Sequence, residues 1–325
     1  MPQPTASDVH VNAPLTNISV AYMQGESHFV ADKVFPVVPV SKQSDRYFVY
    51  DKSDFYRSEA QLRAPGTESA GSGFDIDNTP SYFADVYAIH KDIDDQIRAN
   101  ADAAIDPDRD ATMFVTQQLM MKREIVWANS FFTTGTWSSD IAPAGLLNGA
   151  WSSAGSTPIE DVDRQSDTIL KNTGYKPNCL VVGTDVHRVL KNHPDVLDRI
   201  RYTQQGIVTE DLLASLLGVD KYLVMRGVQN TAQAGAADSF SFISGAGGTA
   251  QDALLAYVAP NPGLMTPSAG YLMSWNGYLG AGPQGNRIKN FRMEHLAADR
   301  IEGELAFAAE LVSADLGIFY NGVVT

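Results

Sequence analysis

DPDRDATMFVTQQLMMKREIVWANSFF, residues 106–132, admits few structures. Asp106 suits an N-cap, Pro107 the first helical position, and Asp108 and Asp110 complement the positive end of a helix dipole. Phe114, Met121, Ile125, Ala128 and Phe132 recur at three- or four-residue steps, interrupted by Gln118, which predicts an apolar stripe along one face. A helix of about 26 residues spans roughly 39 Å at 1.5 Å per residue. That is long for a globular domain, so this helix (107–132) reads as a structural spine.

The chain ahead of it is unusual. Residues 1–46 mix Pro, Asn and Ser with short apolar pieces, VAYM (20–23) and FVADKVF (29–35), and hold neither a helical nor a strand period. They read as an extended arm. Within it, FPVVPV (35–40) sets two prolines among residues too apolar for a solvated loop, although proline suits neither a helix interior nor a central strand. Such a stretch must lie on the chain's own body or on a neighbouring subunit. Phe35, Val37 and Val38 are therefore candidates for contact between subunits, and removing residues 1–45 is expected to leave the core intact.

RYFVYD (46–51) alternates as a strand does, and apolar alternation returns only around residues 82–89. Between them Pro65, Gly66, Gly71 and Gly73 sit amid charges. Two strands flanking a long polar tip describe an extended loop, and loops of this length are usually functional or disordered. Lys52, Arg57, Glu59, Arg63 and Glu68 join the contact candidates, because mixed charges can set register across a repeated interface.

From residue 157 helix and strand alternate. Thr157, Pro158 and Glu160 spell a capping box, and Gly174 can end that helix. NCLVVG (178–183) reads as a strand, Thr184 as the cap of DVHRVLKNH, Thr209 as the cap of EDLLASLL, Gly218 as its stop and KYLVMRGV (221–228) as another strand. DSFSFI and ALLAYVAP add two more. A unit of about 110 residues has the usual size of one domain. From Tyr271 the chain is strand-like again, ending in ELAFAAELVSADLGIFYNGVV.

The search for chemistry returns nothing. Residues 280–285 spell GxGxxG, but Pro283 and the following NRIKNFRME place them in a turn between strands. Asp106, Asp108 and Asp110 mimic the start of a calcium loop, yet Ala111 replaces its glycine and Gln117 its glutamate, so helix capping is the better account. Asp92, Asp94 and Asp95 read as a solvated helix start. The six histidines include no i, i+4 pair and read as surface or capping residues, and Cys179 inside the apolar CLVV reads as an inert buried thiol. Catalytic, cofactor-binding and metal-ligating residues are all expected to be absent.

A net charge of -14 argues against general nucleic-acid binding, because a phosphate backbone would meet repulsion. One cysteine excludes an intrachain disulfide, and no apolar run approaches the length of a membrane span. The N-terminal residues Met1 to Pro4 lack the features of a secretory signal, and folding in a cytoplasm is expected.

The order of elements resembles the major capsid proteins of tailed bacteriophages with the HK97-type fold. KVFPVVPV and RYFVY at the end of the arm carry the likeness, with the loop from Lys52 to about Pro80, VYAIHKDIDDQIRAN (86–100), the long helix, the α/β block from 157 and the closing ADRIEGELAFAAELVSADLGIFYNGV. It spans nearly the whole chain. The resemblance implies an α+β fold with an N-terminal arm (1–46), an extended β-hairpin loop with flanking strands (47–90) and a peripheral domain with the spine helix and a β-sheet (91–156). It further implies an axial α/β domain (157–270) and return strands of the peripheral domain (271–325), the last of which can rejoin the axial domain. In that family the arm and loop lie over adjacent subunits.

The function so implied is structural and non-enzymatic. Subunits form the hexamers and pentamers of an icosahedral shell, which encloses double-stranded DNA without sequence-specific binding and without a membrane. The chain would be made in the host cytoplasm and reside in the virion. Its implied partners are a separate scaffolding protein, or none, a portal and, in some shells, a decoration protein. Two alternatives stand beside this: an encapsulin-like compartment of the same architecture, and a soluble α/β enzyme whose site forms only in three dimensions.

Overall fold

The computed structural model describes residues 24–101, 106–200, 208–244, 249–263, 266–279 and 286–324. The VAYM piece, His10 and the GxGxxG spelling lie outside the described residues. The spine helix runs Pro107–Phe131, and the Asp106 side chain accepts from the Asp108 and Arg109 amides at its start. Its buried face differs from the expected stripe. Ala111, Val115, Leu119, Arg123, Glu124, Trp127, Ala128 and Phe131 are buried, whereas Phe114 is exposed and Met121 and Ile125 are only partly covered. Two charged residues occupy the middle of the true face, so a stripe traced through apolar residues alone drifts around the helix.

One face of a five-stranded sheet packs on this helix. Its centre is the long strand Ala298–Leu311, with Asp85–Asp94 antiparallel along one side and Asn286–Met293 and Gly270–Trp275 antiparallel along the other. Helix and sheet come close at Gly303, where a Cβ would collide with the Val115 and Leu119 side chains. Opposite charges face each other across the strands, as in Arg287 against Glu304 and Lys289 against Glu302.

FPVVPV completes this sheet. Val37–Val40 pairs in parallel with Gly270–Trp275 as an edge strand, and Pro39, exposed there, costs the ladder little. Phe35 is fully buried, its ring 5.8 Å from Trp127 and 4.9 Å from Phe131 between centroids. The chain's own body thus covers it, which removes Phe35 from the contact candidates: a side chain with no exposed surface offers a neighbour nothing. Phe29, Val30, Ala31 and Val34 are buried in the same core. Removing residues 1–45 would therefore take away part of that core, contrary to expectation.

A second sheet runs in the order Asp140–Ile141, Gly317–Tyr320, Ala253–Ala256, Cys179–Gly183, Lys221–Met225. Its central strands are buried on both faces. Leu180, Val182, Leu255 and Tyr320 pack with residues of the helices Pro158–Thr173, Thr184–Asn192, Pro194–Ile200 and Glu210–Leu216, while Cys179, Val181, Leu254 and Phe319 join the core around the spine helix. Gly174 ends the first of these helices at φ 71°, and Thr209 caps the last through the Leu212 amide. The Thr157 side chain instead accepts from Asn148, and Thr184 opens its helix behind an N-cap at Gly183. Leu146 and Trp151, grouped by sequence with the peripheral unit, pack into the second core, where Trp151 donates to the buried Asp161 at 3.0 Å.

Two substitutions test this account in the unassembled subunit by urea unfolding. Phe35→Ala is expected to cost about 3–5 kcal/mol through the cavity it leaves. Gly303→Ala is expected to cost about 1–3 kcal/mol, because Val115 and Leu119 must move. An unfolding midpoint unchanged by Phe35→Ala would return that residue to the list of intersubunit contacts.

Candidate intersubunit contact surfaces

Two short antiparallel ladders carry the extended loop: Ser44–Arg46 with Ser81–Phe83, and Val49–Tyr50 with Ile76–Asp77. A single helical turn, Lys52–Phe55, follows, started by the Asp51 side chain accepting from the Ser53 amide at 2.9 Å. The Tyr50, Phe55 and Phe74 rings meet at centroid distances of 5.7 to 6.1 Å, and the Asp75 amide donates to Asp54 at 3.0 Å. These contacts close the base of the tip. Two pins fasten it to the chain's own body: Lys52 pairs with Asp315, and the Tyr56 hydroxyl donates to the Thr173 carbonyl beside Gly174.

The five charged candidates share this loop, but most have partners within the subunit. Lys52 is held by Asp315, Arg57 and Glu59 pair with each other at 3.5 Å, and Arg63 donates to the Thr67 carbonyl at 2.5 Å. Glu68 is exposed. Exposed pairs of this kind contribute little to stability, because solvent screens them. Val37 and Val38 stand apart from the loop residues, partly covered on the edge of the first sheet.

The loop also carries exposed apolar side chains. Leu62 has its side chain wholly in solvent, and Phe48, Phe55, Phe74, Ile76 and Phe83 are all about half exposed or more. A second apolar face lies on the hairpin Val228–Asn230 with Phe240–Phe242. Phe240 and Phe242, two residues apart in one strand, share a side of it, and both are exposed. The sequence signals are the alternating stretches RYFVY, FDI and DSFSFI, in which Phe48, Phe74, Ile76, Phe240 and Phe242 stay exposed while Tyr47 and Ile243 turn inward.

Elsewhere the charged groups are tied into the fold. Asp92 lies in a strand and takes two bonds from Arg300 at 2.7 and 2.8 Å, which hold its carboxyl below the usual value. Asp95 is held down likewise by Arg292, with both bonds at 2.6 Å, and Asp94 caps Asp95–Asn100. The three are thus structural partners and not a merely solvated helix start. Burial pushes the Glu304 carboxyl up, but Lys289 at 2.9 Å and Arg287 at 2.9 and 2.5 Å outweigh it and leave it below the usual value.

Cys179 is fully buried, and burial pushes its thiol up to about 12, far from a nucleophile's range. Ser156 lies 2.9 Å from the buried His193, a pair that could be mistaken for nucleophile and base. The Asp195 amide donates to His193 Nδ1, however, so the ring proton sits on Nε2, and the Ser156 hydroxyl donates to the Ser153 carbonyl at 2.7 Å. That ring therefore accepts nothing from the serine. Among the described residues no three or more His, Cys, Asp or Glu gather as a metal site, and no helix is long and apolar enough to cross a membrane.

No family profile matches the chain. A protein of Burkholderia phage BcepMu named major capsid protein is 26% identical over 324 residues, covering 96% of each chain. A major capsid protein of Pseudomonas phage JBD67 is 24% identical over 69% of this chain and 71% of its own. Among solved structures, a phage-related protein from Bordetella bronchiseptica covers 92% of this chain and 93% of its own at 21% identity and a TM-score of 0.67. The capsid protein of cyanophage P-SCSP1u covers 97% and 93% at 11% identity and 0.61, and the SrpI encapsulin of Synechococcus elongatus covers 96% and 95% at 12% and 0.58. The resemblance drawn from the order of elements therefore holds: the chain has the α+β, HK97-type fold of phage capsid proteins and is similar along nearly its whole length to a phage major capsid protein.

Proposed function

We propose that this chain is a major capsid subunit, a structural and non-enzymatic protein that assembles as hexamers and pentamers into an icosahedral shell around double-stranded DNA. The observation that carries the reading is the likeness along 96% of the chain to a protein of that name. The exposed apolar residues of the loop and hairpin support it, since a soluble monomer rarely leaves such faces uncovered. In this reading Val37, Val38, Arg57, Glu59, Arg63 and Glu68 meet neighbouring subunits alongside Phe48, Leu62 and Phe74, while Lys52 sets the angle at which the loop leaves the body. The organisation into arm, extended loop, peripheral and axial domains belongs to the same proposal. So do residence in the virion and a scaffolding protein, a portal and a decoration protein as partners.

The likeness to the SrpI encapsulin favours a second reading, a compartment of the same architecture that encloses protein cargo. Electron microscopy of the expressed protein tests both shell readings, and closed particles are expected. Protein that stays monomeric across salt and concentration would count against either. DNA filling particles isolated from infected cells would select the first reading over the second.

Leu62→Asp is expected to lower the yield of closed particles severalfold, while the unassembled subunit keeps its stability within about 0.5 kcal/mol. Reversing Arg57 and Arg63 to Glu is expected to weaken assembly by less, given their partners within the loop. The isolated subunit is expected to bind duplex DNA weakly at low salt; tight, salt-sensitive retention in a filter assay would contradict that.

A further inference from the structure

Glu124 sits at the middle of the spine helix's buried face, 1% exposed, and has no part in the contacts between subunits proposed above. One carboxylate oxygen accepts from the Val30 amide at 3.1 Å, and the other accepts from the amides of Val30 at 3.0 Å and Ala31 at 2.8 Å. Those amides open the short helix Ala31–Val34, so the carboxylate grips the arm segment where it enters the core. Arg123, next on the spine, donates to Asp32 at 2.9 Å.

The charges at this joint do not balance. Ionised, Glu124 and Asp32 share one cation, Arg123. Lys33 turns to the carbonyls of Glu26 and Ser27, and Lys221 turns to the carbonyl of Lys33, so neither is engaged with the carboxylate. One excess negative charge is left at a joint where Asp32 keeps some contact with solvent but the Glu124 carboxylate itself is closed to water, and charging it there is costly. The cost is relieved by binding a proton or by opening the joint.

We propose that Glu124 is a proton-binding joint that couples the seating of residues 26–35 to pH, so that the segment is held more firmly in mild acid than in mild alkali. Burial pushes the Glu124 carboxyl up to about 7; the Ala31 and Val30 amides and Arg123 pull it down, and Asp32 pushes it further up. In the opened segment the group returns to water and to its ordinary value of 4.5. The seated state therefore holds the proton more tightly, and seating loses favour as pH rises between those two values. The opening equilibrium should rise by roughly one to two orders of magnitude from pH 5 to pH 8. The inference needs only a contact within one subunit and does not depend on the capsid reading.

Amide hydrogen exchange on the full-length unassembled subunit tests it, with rates corrected for the intrinsic effect of pH. Protection of the Val30 and Ala31 amides should fall by roughly one to two orders of magnitude, at least severalfold, between pH 5 and pH 8. In Glu124→Gln, which cannot ionise, the fall should disappear. Protection independent of pH in the natural protein, the same slope in Glu124→Gln, or an equal fall in the strand Cys179–Gly183 would each overturn the proposal. Should Glu124→Gln fail to seat the segment, Asp32→Asn decides. It leaves the three bonds from the two amides in place and removes the second negative charge, so the midpoint should move to lower pH, and an unmoved midpoint would also overturn the proposal.

Discussion

The spine helix changes partner with each stretch of its length, and the rest of the molecule depends on that order. Near its start Val115 and Leu119 press on the first sheet at Gly303. In its middle Arg123 and Glu124 hold the arm. Toward its end Trp127 and Phe131 meet Phe35, and the Phe132 ring stands edge-on to Phe319 of the second sheet at 5.4 Å. Sliding the helix by one turn, about 5.4 Å, would break all three relations together. A helix of 25 residues thus acts as the ruler that spaces the two sheets.

The loop follows a different logic. A two-stranded ribbon has too little buried surface to stand alone in water. This one is kept in place by a trio of rings and by two pins at its base, Lys52 to Asp315 and Tyr56 to Thr173. The base is pinned while Leu62, farther out in the loop, stays wholly exposed and takes no part in the subunit's own core. In the proposed shell this would lower the ordering cost of a contact, because the base of the loop is arranged before a neighbouring subunit arrives.

Much of this was legible in the sequence because it follows from local chemistry. Asp106 and Pro107 start the spine where they should, Gly174 ends its helix, and the alternation of 82–89 and of the C-terminal run marks real strands. What failed depends on contacts distant in the chain. The buried face of the spine was misplaced because Glu124 is satisfied by amides 93 and 94 residues away, which no periodicity contains. For Phe35 the sequence leaves open whether the chain's own body or a neighbour covers it, because its pocket is built by Trp127 and Phe131, far along the chain. Among the contact candidates, charge was favoured over the exposed aromatic residues because a polar loop hides them until the structure shows that nothing covers them.

The same long-range pairing bears on the acidic balance. Of the arginines and lysines in the first sheet, Arg287 and Lys289 converge on Glu304, Arg292 is held by Asp95 and Asp299, and Arg300 by Asp92. Arg98 bridges Asp108 and Asp299, and Arg226 is held by Glu210. To contact a phosphate, these side chains would have to give up a carboxylate already in place, so the gain from releasing counterions would be offset by a broken pair. With 38 acidic residues against 24 basic ones, the excess over these pairs is negative. In the proposed shell DNA would be held by confinement and not by adhesion, because the ion pairs that keep the first sheet in register already occupy its cations.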